Sequence, residues 1–247
     1  MANLVIDIGN TNIKMAVFNE GQFFYIEQTE VDTADKIDNI LKKYEINRAI
    51  ISSVKHEVEE WQAGLQKKVN VCYFSNLMAK GIINHYLTPE TLGLDRLAAV
   101  LGAKYLYPEK NSIIIDGGTC ITYDSVDRFG NYYGGSISPG LKMRYKALNN
   151  YTAGLPLIDK NESFTNSYGN STETAILSGV QNGIKYELEG FINSYAIDGF
   201  DANIILTGGD TIFFDTLLKN SIFAPYIKIE PHLVLKGLNA AILNNND

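Results

Sequence analysis

Asp7 ends an apolar run and is followed at once by Gly9, Asn10, Thr11 and Asn12, in the stretch LVIDIGNTNIKMAVF. Asp116 does the same in IIIDGGTCITYD, where Gly117, Gly118 and Thr119 follow. A carboxylate at a strand end beside glycines and hydroxyls suits phosphate chemistry. Small residues let backbone N–H groups approach phosphate oxygens, while the carboxylate holds a metal ion or its waters. The same residue types also make plain hairpin turns, because Gly, Asn and Asp accept left-handed backbone conformations. The second copy weighs toward phosphate. With Asp116 set on Asp7, Gly118 falls on Gly9, Thr119 and Thr11 stand close behind, and VDRFGNYY falls in register with VFNEGQFF.

Other phosphate and hydrolase signatures are absent. The chain has no GxxxxGKS or GxxxxGKT loop, no GxGxxG after a strand, no HExxH and no GxSxG. Two Asp-turns remain, able to grip a triphosphate from opposite walls of a cleft. TGGD, at the end of an apolar run near 203–207, adds glycines against which an adenine or ribose could lie.

The elements that must position these turns follow from the pattern. Residues 3–8, 12–18 and 22–28 read as three strands, joined by GNTN and NEGQ. DTADKIDNILKKYE reads as a helix, RAIISSV as a short buried strand and HEVEEWQAGLQKK as a second amphipathic helix. TPETLGLDRLAAVLGAKYLYP reads as a loop and then a helix that ends before Pro108. Residues 111–140 repeat the three-strand pattern; helices are expected over 139–149, 172–191, 210–219 and 232–244, with a strand in NIILTGGD. The expected fold is α/β, with duplicated RNase H-like domains, each a mixed sheet that starts with a three-stranded meander and is flanked by helices. It resembles the actin, Hsp70 and sugar-kinase layout. The expected division is 1–110 and 111–247, with the boundary in 103–112.

Composition agrees with a globular chain of 247 residues, 45% hydrophobic and 20% charged. A net charge of −7 argues against a nucleic-acid or anionic-membrane partner, so positive charge for an anionic substrate must be local. Cys72 and Cys120 form no CxxC pair, and the chain enters its first strand without a basic leader. No apolar run approaches the ~18 residues of a membrane span. A cytoplasmic setting is expected.

Five ordered blocks narrow the choice: DIGNTNIKMAVF, GLDRLAAVLGA, DGGTCITYD, GGSISPGLKMRYKALNNYTAGLP and GNSTETAILSGV. Together they resemble the type III pantothenate kinases from Asp7 to about Val180. The resemblance implies ATP-dependent phosphorylation of pantothenate to 4′-phosphopantothenate, the first step of coenzyme A synthesis. It further implies Mg²⁺ with ATP, a monovalent cation (K⁺ or NH₄⁺) and a homodimer. By the same resemblance Asp7, Ile8, Gly9, Asn10, Thr11, Asn12, Ile13 and Lys14 form the ATP-binding segment, with Asp7 serving the magnesium–phosphate group directly or through water. Asp95 matches the proton acceptor, and Tyr86, Gly93, Leu94, Asp95 and Arg96 the pantothenate-binding set. Asp116 matches the monovalent-cation ligand and Thr119 an ATP-contacting hydroxyl. Thr172 matches a substrate-contacting threonine supplied in the family by the partner subunit.

Each residue also has an ordinary use. Asp95 could be a first-turn helix aspartate, Arg96 a surface arginine and Thr172 an N-cap. Cys120 stands where the family usually has a smaller residue, and Lys14 where it is often uncharged. His56, His85 and His232 show no metal spacing and are expected to be structural or on the surface. Lys142 and Arg144 are expected on solvated surface near a helix start, with local charge for phosphates or the dimer seam as the other use. The alternatives to pantothenate are another small-molecule kinase of the same superfold or a non-catalytic regulatory paralogue.

Overall fold

The computed structural model describes residues 2–9, 12–29, 33–53, 59–195 and 202–245. In chain order the strands are β1 Ala2–Ile8, β2 Ile13–Asn19, β3 Gln22–Thr29, β4 Ile46–Ser53, β5 Asn70–Tyr73, β6 Ile83–Asn84, β7 Asn111–Gly117, β8 Cys120–Val126, β9 Asn131–Pro139, β10 Ala202–Gly208 and β11 Ile227–Ile229. The helices are α1 Thr33–Lys43, α2 Glu60–Gln66, α3 Leu94–Leu106, α4 Leu141–Asn150, α5 Thr172–Leu177, α6 Gly183–Tyr195, α7 Thr211–Leu218 and α8 Leu233–Asn244. A π turn, Ser178–Asn182, joins α5 to α6, so the helix expected over 172–191 is interrupted rather than continuous.

Contacts divide the chain into two units. The first holds Met1–Glu109, Arg128–Tyr133 and His232–Asp247; the second holds Lys110–Asp127 and Gly134–Pro231. The sheet of the first unit runs β3-β2-β1-β4-β5, and the order β9-β8-β7-β10-β11 repeats it in the other sheet. In both, the Asp-bearing strand is paired antiparallel to the next strand and parallel to the fourth of its set. The duplication suggested by the motifs is therefore a duplication of topology. Strand β6 is an addition, parallel to the start of β9 through Ile83↔Asn131 and Asn84↔Tyr132.

Alternation along each strand decides which face the aspartates occupy. In the first unit Leu4, Ile6, Ile8, Ile13, Met15, Val17, Ala49 and Ile51 pack with Ile37, Ile40 and Leu65 of α1 and α2. Asp7 lies one residue out of step, so it takes the opposite face, with Ser52 opposite it on β4. Helices α3 and α8 cover that face, and Asn3 Nδ2 donates to Asn239 Oδ1 of α8 at 3.1 Å. In the second unit Ile113, Ile115, Ile121 and Tyr123 pack with residues of α4, α5, α6 and α7, which sets Asp116 on the reverse face by the same rule.

Helices α3 and α8 meet through glycine. A Cβ on Gly237 would overlap the carbonyl oxygen of Ala98, and one on Gly102 would press on Leu233. Close backbone approach explains why α3 is buried along most of its length.

Candidate active site

Hairpin one starts from an exact register. Asp7 faces Lys14 and Ile8 faces Ile13 across the β1–β2 pair. Gly9 N–H then donates to the carbonyl of Asn12 at 3.0 Å, which closes the turn. Asp7, Ile8 and Ile13 are buried, while Gly9, Asn12 and Lys14 are half-buried. Asn10 and Thr11, expected in the ATP segment, lie outside the described residues.

At the start of α3 the predicted substrate residues come together. Gly93 caps the helix, Leu94 opens it, and Gly93 O accepts from Leu97 N–H at 3.2 Å. Asp95 folds back so that its Oδ1 accepts Arg96 N–H at 2.8 Å. A side chain on Gly93 would have its Cβ 2.5 Å from that oxygen, so glycine is what lets the carboxylate lie there. Arg96 is only 6% exposed, which rules out the surface-arginine use. Its guanidinium carbon stands 5.7 Å from the centre of the Tyr86 ring, within cation–π range. Tyr86 N–H donates to Asn84 Oδ1 at 2.9 Å, which turns the chain out of β6 and toward α3.

Hairpin two is a residue tighter, since Asp116 faces Thr122 and Gly117 faces Ile121. Gly118 N–H donates to Cys120 O at 2.9 Å, as Gly9 does in the first hairpin. Glycines hold this turn on two sides. Gly140 N–H donates to Thr119 O at 3.1 Å, and a Cβ on Gly140 would overlap the carbonyls of Gly118 and Thr119. On the other side Gly208, at φ +84°, lies against Asp116 Oδ1, where a Cβ would collide. Gly208 of TGGD is thus committed to the hairpin, and Gly209 is its exposed glycine. Asp210 N–H donates to Gly117 O at 3.0 Å. Burial raises the Asp210 carboxyl above the ordinary range, with Lys160 and Lys142 opposing. Asp210 ends TGGD and Gly140 ends SPG in the sequence, and only the tertiary contacts with the second hairpin show what each holds.

Thr172 opens α5, but the cap belongs to Ser171. Ser171 Oγ accepts Thr174 N–H at 3.2 Å and Thr174 Oγ1 accepts Ser171 N–H at 2.9 Å. The N-cap use of Thr172 is corrected accordingly, and its side chain is exposed outside that box. Thr119 is exposed and Cys120 half-buried with a free thiol. Arg144 corrects a second expectation: it is no solvated charge but an ion-pair partner of Glu187 at 2.6 Å. His85 stacks on Tyr133 with ring centres 4.4 Å apart, and His232 on Phe23 at 5.2 Å, while His56 lies outside the described residues.

The donor set suits hard cations brought in with phosphate. Among the described residues no three His, Cys, Asp or Glu side chains gather as a metal cage. Mg²⁺ needs none, because it binds through one or two carboxylates, waters and substrate phosphates. Gly208 lies so close to Asp116 Oδ1 that a Cβ at position 208 would collide with it. Among the described residues no helix is long and apolar enough to cross a membrane.

Comparison with known proteins bears on these features. A family model described as type III pantothenate kinase matches residues 3–194. A type III pantothenate kinase of Bacteroides fragilis is 43% identical over 245 residues, covering 99% of this chain and 98% of that one. One from Christiangramia forsetii is 44% identical over 239 residues, covering 96% of each. Among solved structures, the activator of 2-hydroxyisocaproyl-CoA dehydratase from Clostridium difficile, with bound ADPNP, has a TM-score of 0.57 at 14% identity, over 100% of this chain and 96% of that one. Component A of the Acidaminococcus fermentans (R)-2-hydroxyglutaryl-CoA dehydratase has a TM-score of 0.56 at 14% identity, over 99% and 97%. These two likenesses speak to the fold alone, the duplicated RNase H-like superfold. Matched along nearly all of its length by proteins of one description, the chain belongs to the type III pantothenate kinase family.

Proposed function

We propose that this chain transfers the γ-phosphoryl group of ATP to the primary hydroxyl of pantothenate, giving 4′-phosphopantothenate, and that it does so in the cytoplasm. Family membership supports the reaction, and the observation that carries the site is the cluster at the start of α3. There a carboxylate, a buried guanidinium and a tyrosine ring share one turn and the strand end beside it.

Asp95 takes the hydroxyl proton as the oxygen attacks phosphorus, a task for a carboxylate within hydrogen-bond reach. Arg96 holds the pantothenate carboxylate with its planar fork, and the Tyr86 ring, 5.7 Å from its guanidinium carbon, favours the positive charge there. Gly93 and Leu94 complete the substrate wall. The segment from Asp7 to Lys14 and the Thr119 hydroxyl bind ATP through backbone N–H groups and short polar side chains. Asp7 would hold Mg²⁺ with the phosphates, directly or through water, and the ion would supply charge neutralisation on the transferring group. Asp116 holds a monovalent cation, and Thr172 reaches pantothenate from the second subunit of a homodimer.

The test is ADP release with pantothenate and Mg-ATP, in K⁺ against Na⁺, for the wild type and Asp95→Asn. Turnover that needs pantothenate, rises in K⁺ and collapses in the variant supports the reading. Phosphorylation of a different small alcohol in place of pantothenate would keep the fold and overturn the substrate.

A further inference from the structure

Arg144 leaves the first turns of α4 and turns its Nε and Nη2 donors onto three neighbouring acceptors. Nε donates to Pro139 O at 2.8 Å, while Nη2 donates to Ser138 Oγ at 2.7 Å and to Glu187 Oε2 at 2.6 Å. The other oxygen of Glu187 accepts from Tyr123 OH at 2.8 Å. Tyr123 is fully buried, its ring stacked on Phe191 with centres 4.2 Å apart. One carboxylate on α6 thus ties β8 to α4, and the guanidinium between them holds the last carbonyl of β9. The next residue is Gly140, whose N–H carries the Thr119 carbonyl and whose missing side chain leaves room for Gly118.

We propose that Arg144 is a positioning residue for phosphoryl transfer. Through Pro139 and Gly140 it fixes the Gly118–Thr119 turn at the place where the Thr119 hydroxyl meets the nucleotide phosphates. The proposal rests on reading the second hairpin as a nucleotide site. A partly buried ion pair adds little stability, because desolvation of both partners offsets most of their attraction. Fixed geometry is its distinctive product. A planar fork with three acceptors in one cluster gives that geometry in a way a lysine cannot.

The experiment compares wild type with Arg144→Lys, Arg144→Met and Tyr123→Phe by steady-state kinetics, and measures Mg-ADP binding by calorimetry. Arg144→Lys keeps a charge opposite Glu187 and so keeps the test in hand where the methionine variant fails to fold. The expected result is a kcat/KM for Mg-ATP lowered on the order of ten- to a hundredfold, as for a misplaced catalytic group. The KM for pantothenate stays within about twofold. Tyr123→Phe moves the same parameters in the same direction by less. A merely structural arginine would lower Tm and leave both KM values where they were. Unchanged Mg-ATP kinetics in Arg144→Lys, or KM values raised equally for both substrates, overturns the proposal while wild-type Mg-ADP binding preserves the hairpin reading. A wild type that binds no Mg-ADP overturns both.

Discussion

At the scale of single residues, the first turn of α3 carries adjacent side chains for which two different jobs are proposed. Asp95→Asn keeps the shape and the hydrogen bond to Arg96 N–H through its side-chain oxygen, but it cannot take a proton. Turnover should fall by about 10²–10⁴, the usual worth of a positioned acid or base, with pantothenate still bound in a calorimetric titration. Arg96→Lys should show the converse, a pantothenate KM raised about tenfold or more with kcat changed far less, since the loss is of bidentate binding. Pantothenate analogues lacking the carboxylate check this, because they should not distinguish lysine from arginine. Both residues stand out in GLDR, but burial of Arg96 against Tyr86 could not be read from spacing: nine residues of loop and helix separate them. Arg144 shows the opposite case. Its charge suggested solvent, and only the fold supplies Glu187 from a helix 43 residues away.

Elements show why most of the fold was legible and where that ended. Continuous apolar runs marked β1, β2, β4, β7 and β10, because each is buried on both faces or nearly so. Strands β5, β6 and β11 went unread. They have four, two and three residues, and pairing with a neighbour, not their own pattern, makes them strands. The positive-φ glycines Gly21 and Gly130 occupy equivalent hairpin turns, so the register of VFNEGQFF on VDRFGNYY has a backbone cause. The α3–α8 contact was invisible in the same pattern, since a glycine in a helix announces no partner. Gly237→Ala should force α8 away from the Ala98 carbonyl at a cost of about 1–3 kcal/mol, the range for overpacking. Thermal melting checks it, with Tm falling roughly 2–4 °C per kcal/mol at this chain size. The α4–α6 ion pair gives a pH signature. Burial pushes the Glu187 carboxyl up, but hydrogen bonds from Arg144, Ser138 and Tyr123, with the arginine charge, hold it below its ordinary 4.5. The unfolded chain therefore binds more protons just below pH 4.5, and the contribution present above that value is lost as pH falls through the folded value. The Tm gap between wild type and Glu187→Gln should be largest near neutral pH and close under acid conditions.

For the whole molecule, the proposed homodimer means that one chain alone does not make a complete site. Asp95 belongs to the first unit and Thr172 to the second, and the proposed dimer has pantothenate meeting Asp95 of one protomer and Thr172 of the other. The exposed position of Thr172 outside the α5 capping box leaves its hydroxyl available for such a role. Subunit mixing tests this, because in a twofold dimer the two sites are equivalent by symmetry. Asp95→Asn and Thr172→Trp homodimers should each be inactive. In a mixed dimer one site combines both lesions and the other has neither. Random mixing in equal amounts should then restore about a quarter of the wild-type rate, since half the dimers are mixed and each has one intact site. If each chain instead builds its own site, every site carries a lesion and mixing restores nothing. Sedimentation of the same mixtures checks that dimers form and exchange, and an active monomer there would remove the shared site altogether.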